Sequence, residues 1–435
     1  MKRVLIVANL FHASPRVPGI ATYLPEHGWT ATIVTPPVGA GAKDRLGFPD
    51  KFFQRVGVVE ANYRGDIFWF WRTVFKGLGF KASNSITEQI KERIGIVEKK
   101  SIVDYLLSCY QEIFAYPDTE RTWKKPALKA ASATLEKERF DAVLSSSPHP
   151  TSHFVAAELK KRFDLVWIAD FRDPWTQNHI YSHSPIRKYF EEKSERKLLR
   201  TANALTAASP TYARKQEELH QRPAAVVTNG FDPDFPVVPV ISLTKKFTVT
   251  YTGSIYTGRQ DPERLLAALK SLILNGSVNL SDIEVRFYGP RLNWLEKQIT
   301  QYSLSDVVRQ LGVISRRESL QRQRESQVLL LLNWEDPNEK GVYPTKLFEY
   351  LSAQRPILAT GGFRGDDVEE ILAKTEAGVY APTPALVESV LRAFYSEYEK
   401  TGTVTYHGNR AKLKNYSYED KAACFARILD QTAEG

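Results

Sequence analysis

The chain has only two cysteines, Cys109 and Cys424, far apart and in no CxxC pair. A disulfide framework and a structural zinc site are thereby excluded, and a reducing compartment fits best. Nowhere do about 18 apolar residues follow one another, so no segment has the length of a membrane-spanning helix. The opening stretch, residues 1–11, has a basic start and a short apolar run but no small-residue cleavage site, and it reads as a first buried strand. A single glycine, Gly19, follows that strand closely, so a G-x-G-x-x-G dinucleotide fingerprint is missing. No G-x-S-x-G elbow is present, which argues against a serine hydrolase. After Gly253 and Gly258 the chain continues Arg259-Gln260 where a P-loop requires Lys-Ser or Lys-Thr. Zinc-finger, RNP-type and basic heptad patterns are also missing, so nucleic acid is not an expected partner.

What is present is a globular composition, 43% apolar and 25% charged over 435 residues, long enough for two domains. The formal charge is +9. Its excess is concentrated in 51–100, with ten Lys or Arg against five acids. Within that region Phe68-Trp69-Phe70-Trp71 precedes Arg72, Phe75, Lys76, Phe80 and Lys81. Such a stretch reads either as a partly buried helix with solvated lysines or as an interfacial segment attracted to anionic lipid, through 60–100.

Short β-branched runs alternate with amphipathic stretches, the pattern of βα units in a parallel sheet. Strands are expected at 3–8, 30–35, 142–145, 165–169 and 204–207, and helices at 152–162 and 184–200. After Asn229-Gly230 and a Pro-rich stretch at 233–239, a second series begins. It has strands at 247–251, 284–288, 328–332 and 356–359 and helices at 261–275, 292–302 and 346–353. Two Rossmann-like, doubly wound α/β domains result.

Three loops carry the candidate chemistry. Glu339–Glu349 leads from the strand at 328–332 into a helix. Thr345 and Lys346 stand where free N–H groups and a partial positive charge favour a phosphate, and Glu349 one turn later is placed to accept from ribose hydroxyls. A capped helix with a solvated Lys–Glu pair accounts for the same residues. Gly253-Ser254 and Arg259 form a second strand-to-helix loop, in which glycine admits a phosphate to the backbone and arginine can clamp a diphosphate. An ordinary turn with a surface arginine is the alternative. The third group lies in the first domain, where Ser147 and His149 follow one strand and Asp170, Arg172 and Asp173 the next. Strand carboxyl ends are where open α/β sheets place ligands. These charges can position a sugar hydroxyl, move a proton, or simply hold the loop. His149 and His153 lie four apart, but no third ligand with metal spacing accompanies them, so no metal is expected.

Taken together, Trp167–Trp175, Thr228–Asp232, Tyr251–Ser254 and Pro344–Tyr350 with Arg355–Ala359 resemble the GT-B glycosyltransferases. The resemblance is to the retaining family 4 group of bacterial cell-surface polysaccharide synthesis, and it runs over nearly the whole chain. It implies two domains facing across a cleft, residues 1–235 plus 415–435 binding the acceptor and 236–414 the nucleotide sugar, with the last helix crossing back to the first domain. It also implies a retaining sugar transfer from a nucleoside diphosphate sugar, of the UDP type, to a lipid-linked or polysaccharide hydroxyl. No metal or other cofactor is implied, and the setting is cytoplasmic and peripheral to a membrane. By position Arg259 and Lys346 match the diphosphate-binding cations, Glu349 the ribose contact, and Gly253 with Ser254 the glycine loop. Asp170, Arg172, Asp173 and His149 fall in the catalytic group, and Gly19 and Ser147 on the acceptor side. The family often has two glutamates eight apart. Here Gly341 stands eight before Glu349, and Glu339, two further back, takes the role only with a longer loop. A nucleotide-sugar epimerase and a catalytically silent binding subunit are the rival readings.

Overall fold

The computed structural model describes residues 1–13, 15–39, 46–69, 73, 109–178, 181, 183–234, 242–336 and 340–433. Most of the aromatic and basic stretch at 68–81, part of the Pro-rich segment at 233–239, and Glu339 lie outside them.

The first sheet is built from β1 (Lys2–Val7), β2 (Trp29–Thr35), β3 (Gly57–Glu60), β4 (Ala142–Ser146), β5 (Val166–Phe171), β6 (Ala204–Ala207) and β7 (Ala224–Val226), in the order β3-β2-β1-β4-β5-β6-β7. Every pair is parallel. Its central strands are apolar along their length because helices cover both faces. The described helices of this part are α1 (Arg16–Tyr23), α2 (Lys124–Lys137), α3 (Thr151–Phe163), α4 (Pro185–Leu199) and α5 (Pro210–His220), with shorter turns between. Chain order reverses between β1 and β4, which opens a crevice at their carboxyl ends.

The second sheet has β8 (Phe247–Thr252), β9 (Ile283–Tyr288), β10 (Val308–Gly312), β11 (Val328–Leu332), β12 (Ile357–Thr360) and β13 (Gly378–Tyr380), in the order β10-β9-β8-β11-β12-β13, again all parallel. Helices α6 (Glu263–Leu274), α7 (Asn293–Gln301), α8 (Arg316–Glu325), α9 (Thr345–Ala353), α10 (Asp367–Thr375) and α11 (Pro384–Thr401) cover it. Its reversal falls between β8 and β11, which feed the loops at 253–259 and 333–344.

The last helix, α12 (Tyr418–Ala433), packs on the first sheet's side of the molecule. Tyr418, Ala422, Phe425, Ala426 and Leu429 join the core beneath β1 and β2. Asp430 then meets Lys2 at 2.8 Å and accepts from the Trp29 indole at 3.1 Å. The two domains also touch directly, since Thr211 at the start of α5 donates to the Asp367 carboxylate at 3.1 Å. None of the described helices is long and apolar enough to cross a membrane.

Candidate active site

In the second domain Gly253 follows β8 at φ +106°, a conformation that side chains other than hydrogen adopt only with strain. Its bareness also keeps room for Lys346, whose Nζ would lie 3.3 Å from a Cβ there. Lys346, in the first turn of α9, donates to the Tyr251 hydroxyl and to the Ser254 carbonyl at 3.3 Å, with its ammonium 4.0 Å from the Tyr251 ring centre. Burial pulls its pKa down to about 7, against the opposing pull of Glu349. Pro344 provides no side-chain cap, so the N-terminus of α9, where Thr345 sits, keeps its dipole open at the same spot. The Arg259 carbonyl accepts from the Glu335 amide at 3.1 Å, which ties the 253–259 loop to the end of β11. The expected pairing of the Gly253–Ser254 loop with the Lys346 turn is therefore a contact in the fold.

Glu349 is held by Arg316 at 2.6 Å and by the Gln323 amide at 3.3 Å. With Thr345 and Arg316 it lines a cavity of about 350 Å³ that Phe48 and Asp50 of the first domain close from the other side. Arg316 was not foreseen, because the pair it forms with Glu349 links two helices far apart in sequence. Gly341 has a physical reason to be glycine: its φ is +90°, and a Cβ would come within 2.7 Å of Thr211. A glutamate there would collide with the first domain, so the two-glutamate spacing is incompatible with this packing.

The first domain requires corrections. Asp170, expected in the catalytic group, is 1% exposed and accepts from Arg16 at 2.8 Å, Ser146 at 2.7 Å and Thr206 at 2.7 Å. Its oxygens are taken up inside the domain, so it holds β4, β5, β6 and α1 together and does not face a substrate. Ser147, expected on the acceptor side, spends its hydroxyl on the backbone of Asp173, donating to the carbonyl at 2.7 Å and accepting from the amide at 3.1 Å. Gly19 faces α12 and not a cleft, since a Cβ there would lie 2.4 Å from the Tyr418 ring. His153 points inward from α3, 2.7 Å from the Ser145 hydroxyl.

Arg172, Asp173 and His149 remain at the strand ends, and the charges of the first two act on His149. His149 packs edge-on against His12 at 4.6 Å between ring centres, beside Asp118 at 3.9 Å. Burial lowers its pKa to about 4, which leaves the ring neutral near pH 7. A cavity of about 230 Å³ adjoins it, lined by Asp118, Trp175 and Tyr181 among others. Sequence reasoning missed Arg16, His12 and Glu120. Arg16 meets Asp170 and His12 meets His149 across more than a hundred positions, Glu120 meets Tyr63 across 57, and no local spacing signals any of them.

A parallel-sheet pair with these loops at its strand ends defines a GT-B glycosyltransferase fold. Residues 108–235 match the model of Glycosyltransferase Family 4. Sucrose-phosphate synthase from Thermosynechococcus elongatus superposes with a TM-score of 0.62 at 12% identity, over 99% of each chain. HepE from Anabaena in complex with UDP and glucose gives 0.62 at 13%, over 99% of this chain and 100% of that one. A glycosyltransferase from Rickettsia africae gives 0.60 at 14%, over 100% and 99%. At such identities the likeness is one of fold. No curated protein matches the chain.

Proposed function

We propose that the protein transfers a sugar from a UDP-sugar to a hydroxyl of a lipid-linked or polysaccharide acceptor, with retention at the anomeric carbon and without a catalytic metal. The observation that carries this reading is the meeting of Lys346, the open N-terminus of α9 and the Gly253–Ser254 loop at the carboxyl ends of the second sheet. Such a spot suits a leaving diphosphate, whose growing negative charge a fixed ammonium and helix dipole stabilise in place of a metal ion. Arg259 adds a second cation on the same loop. Glu349, steadied by Arg316, is the acceptor group for donor ribose hydroxyls. The Anabaena HepE structures hold UDP and UDP-glucose on the same fold, which supports uridine as the base. On the acceptor wall Arg172, Asp173 and His149 are the side chains left to orient the incoming hydroxyl.

A melting-temperature panel of UDP, GDP, dTDP, CMP and ADP, without metal and then with magnesium, tests the donor site. UDP alone should raise the melting temperature without metal, because a ligand of the native state stabilises it by mass action. No shift with any nucleotide would instead favour a silent binding subunit. Product analysis by NMR should then show a glycoside of retained configuration, whereas conversion of the sugar nucleotide alone would mark an epimerase. Peripheral membrane attachment through 60–100 belongs to the same proposal. Within the described residues Trp69 is 38% exposed, with Arg64 over its ring at 5.8 Å. Flotation with anionic vesicles should carry the protein upward, and indifference to lipid charge and to Trp69→Ala would remove the membrane part alone.

A further inference from the structure

We propose that His12, Glu120 and His149 form a binding site for a divalent transition-metal ion of the zinc class on the first domain. One ligand atom from each lies within 4.8 Å of the other two. The fold makes this meeting: β1 and β4 are neighbours, His12 follows the first and His149 the second, and Glu120 comes in just before α2. His149 and His153 had no third ligand by spacing, and the structure supplies two from elsewhere while turning His153 away.

Two observations point to a cation. The His149 Nε2 atom is buried without a hydrogen-bond partner, a costly state that a bound ion would relieve. Among the described residues the carboxylates of Asp118 and Glu120 stand beside the pair and those of Asp66 and Asp173 act on His149, while Arg172 opposes them and Arg187 acts on Asp118. An anion would be repelled there.

The outer partners are of the kind that orient ligands. The Tyr63 hydroxyl donates to a Glu120 oxygen. Asp118, beside the His149 Nδ1 atom, is itself fixed by the amides of Glu120 at 2.7 Å and Thr151 at 2.6 Å. Two imidazoles and one carboxylate are a donor set for zinc with one position open to water, and nitrogen donors disfavour magnesium and calcium. His12 lies at the exposed edge and gives the ion its entry. Occupancy would take up the one imidazole that the proposed reaction has on its acceptor wall, so the ion and acid–base use of His149 exclude each other.

The test uses the full chain, stripped with a chelator, titrated with Zn²⁺ by calorimetry and with Co²⁺ by visible absorption. One saturable ion per chain is expected, with magnesium failing to compete. His12→Ala and His149→Ala should each weaken binding at least about tenfold, as loss of an oriented ligand does. His407→Ala, an exposed histidine elsewhere, should leave it unchanged. Circular dichroism of each variant confirms that the fold is retained. Absence of saturable Zn²⁺ binding, or unchanged affinity in both site variants, would overturn the proposal and assign any bound ion to other side chains.

Discussion

Lys346 titrates near neutrality because the fold strips water from its ammonium while leaving Glu349 as its one opposing carboxylate. A phosphate bound there favours the charged form, so nucleotide affinity should fall as pH rises from 6.5 to 8.5, measured by calorimetry at constant ionic strength. Lys346→Met keeps the apolar stem and removes the charge. It should weaken UDP binding by roughly 10- to 100-fold, the worth of a hydrogen bond to a charged group, and should flatten that pH dependence. His12, His149 and His153 are shifted in the same direction by the same cause, and there the effect falls on stability. All three are held at about 4 by burial, against 6.5 in an unfolded chain. Between those values the unfolded state binds more protons, so their contribution lowers stability progressively as pH falls from 6.5 to 4. Burial of Asp118, Asp232 and Asp366 raises their pKa values and works against this at the acid end. The urea midpoint should therefore drop between pH 7 and 5, and drop less in His153→Gln. At this scale the sequence was legible where a position depends on neighbours in the chain, as with Lys346 in the first turn of its helix. It was not legible where a role depends on a distant partner, as with Arg16 and Asp170, or Arg316 and Glu349.

Secondary structure was legible wherever burial is two-sided. All nine strands expected from the sequence exist within one or two residues of their expected limits, and β6 and β11 coincide with theirs. The four strands not anticipated are β3, β7, β10 and β13, and these are the edges of the two sheets. An edge strand is paired on one side and half exposed, so it has no continuous apolar run to announce it. β10, Val-Arg-Gln-Leu-Gly, buries only Val308 and runs on through exposed and half-buried positions for that reason. The crossing of the last helix was expected from the family resemblance, but its seat was not readable from spacing. That seat depends on Gly19 in α1 having no side chain under Tyr418. Gly19→Val should thus loosen α12, costing about 1–3 kcal/mol as overpacking does, with earlier proteolysis near residue 415 and a lower melting temperature. Thr22→Val, on the same helix and also buried, keeps the side-chain volume, gives up a hydroxyl that donates to the Pro18 carbonyl at 2.7 Å, and should leave α12 seated in the same proteolysis assay.

At the scale of the whole molecule, the two domains meet where a glycine was needed. Gly341 lies against Ser209 and Thr211, and Thr211 also binds Asp367. Gly341→Glu, which writes the two-glutamate spacing into the chain, should push the domains apart. Small-angle scattering should then show a larger radius of gyration, and turnover should fall despite the added carboxylate. The departure from the family spacing and the closeness of the domains are thus one fact seen twice. The contact between Lys2 and Asp430 has a different implication, one of timing. A ribosome finishes the strands of the first sheet long before it reaches residues 418–433. At ordinary synthesis rates the delay is on the order of tens of seconds. Through that interval the apolar seat of α12 beside β1 and β2 stays open, and a chaperone has its best chance to bind the nascent chain there.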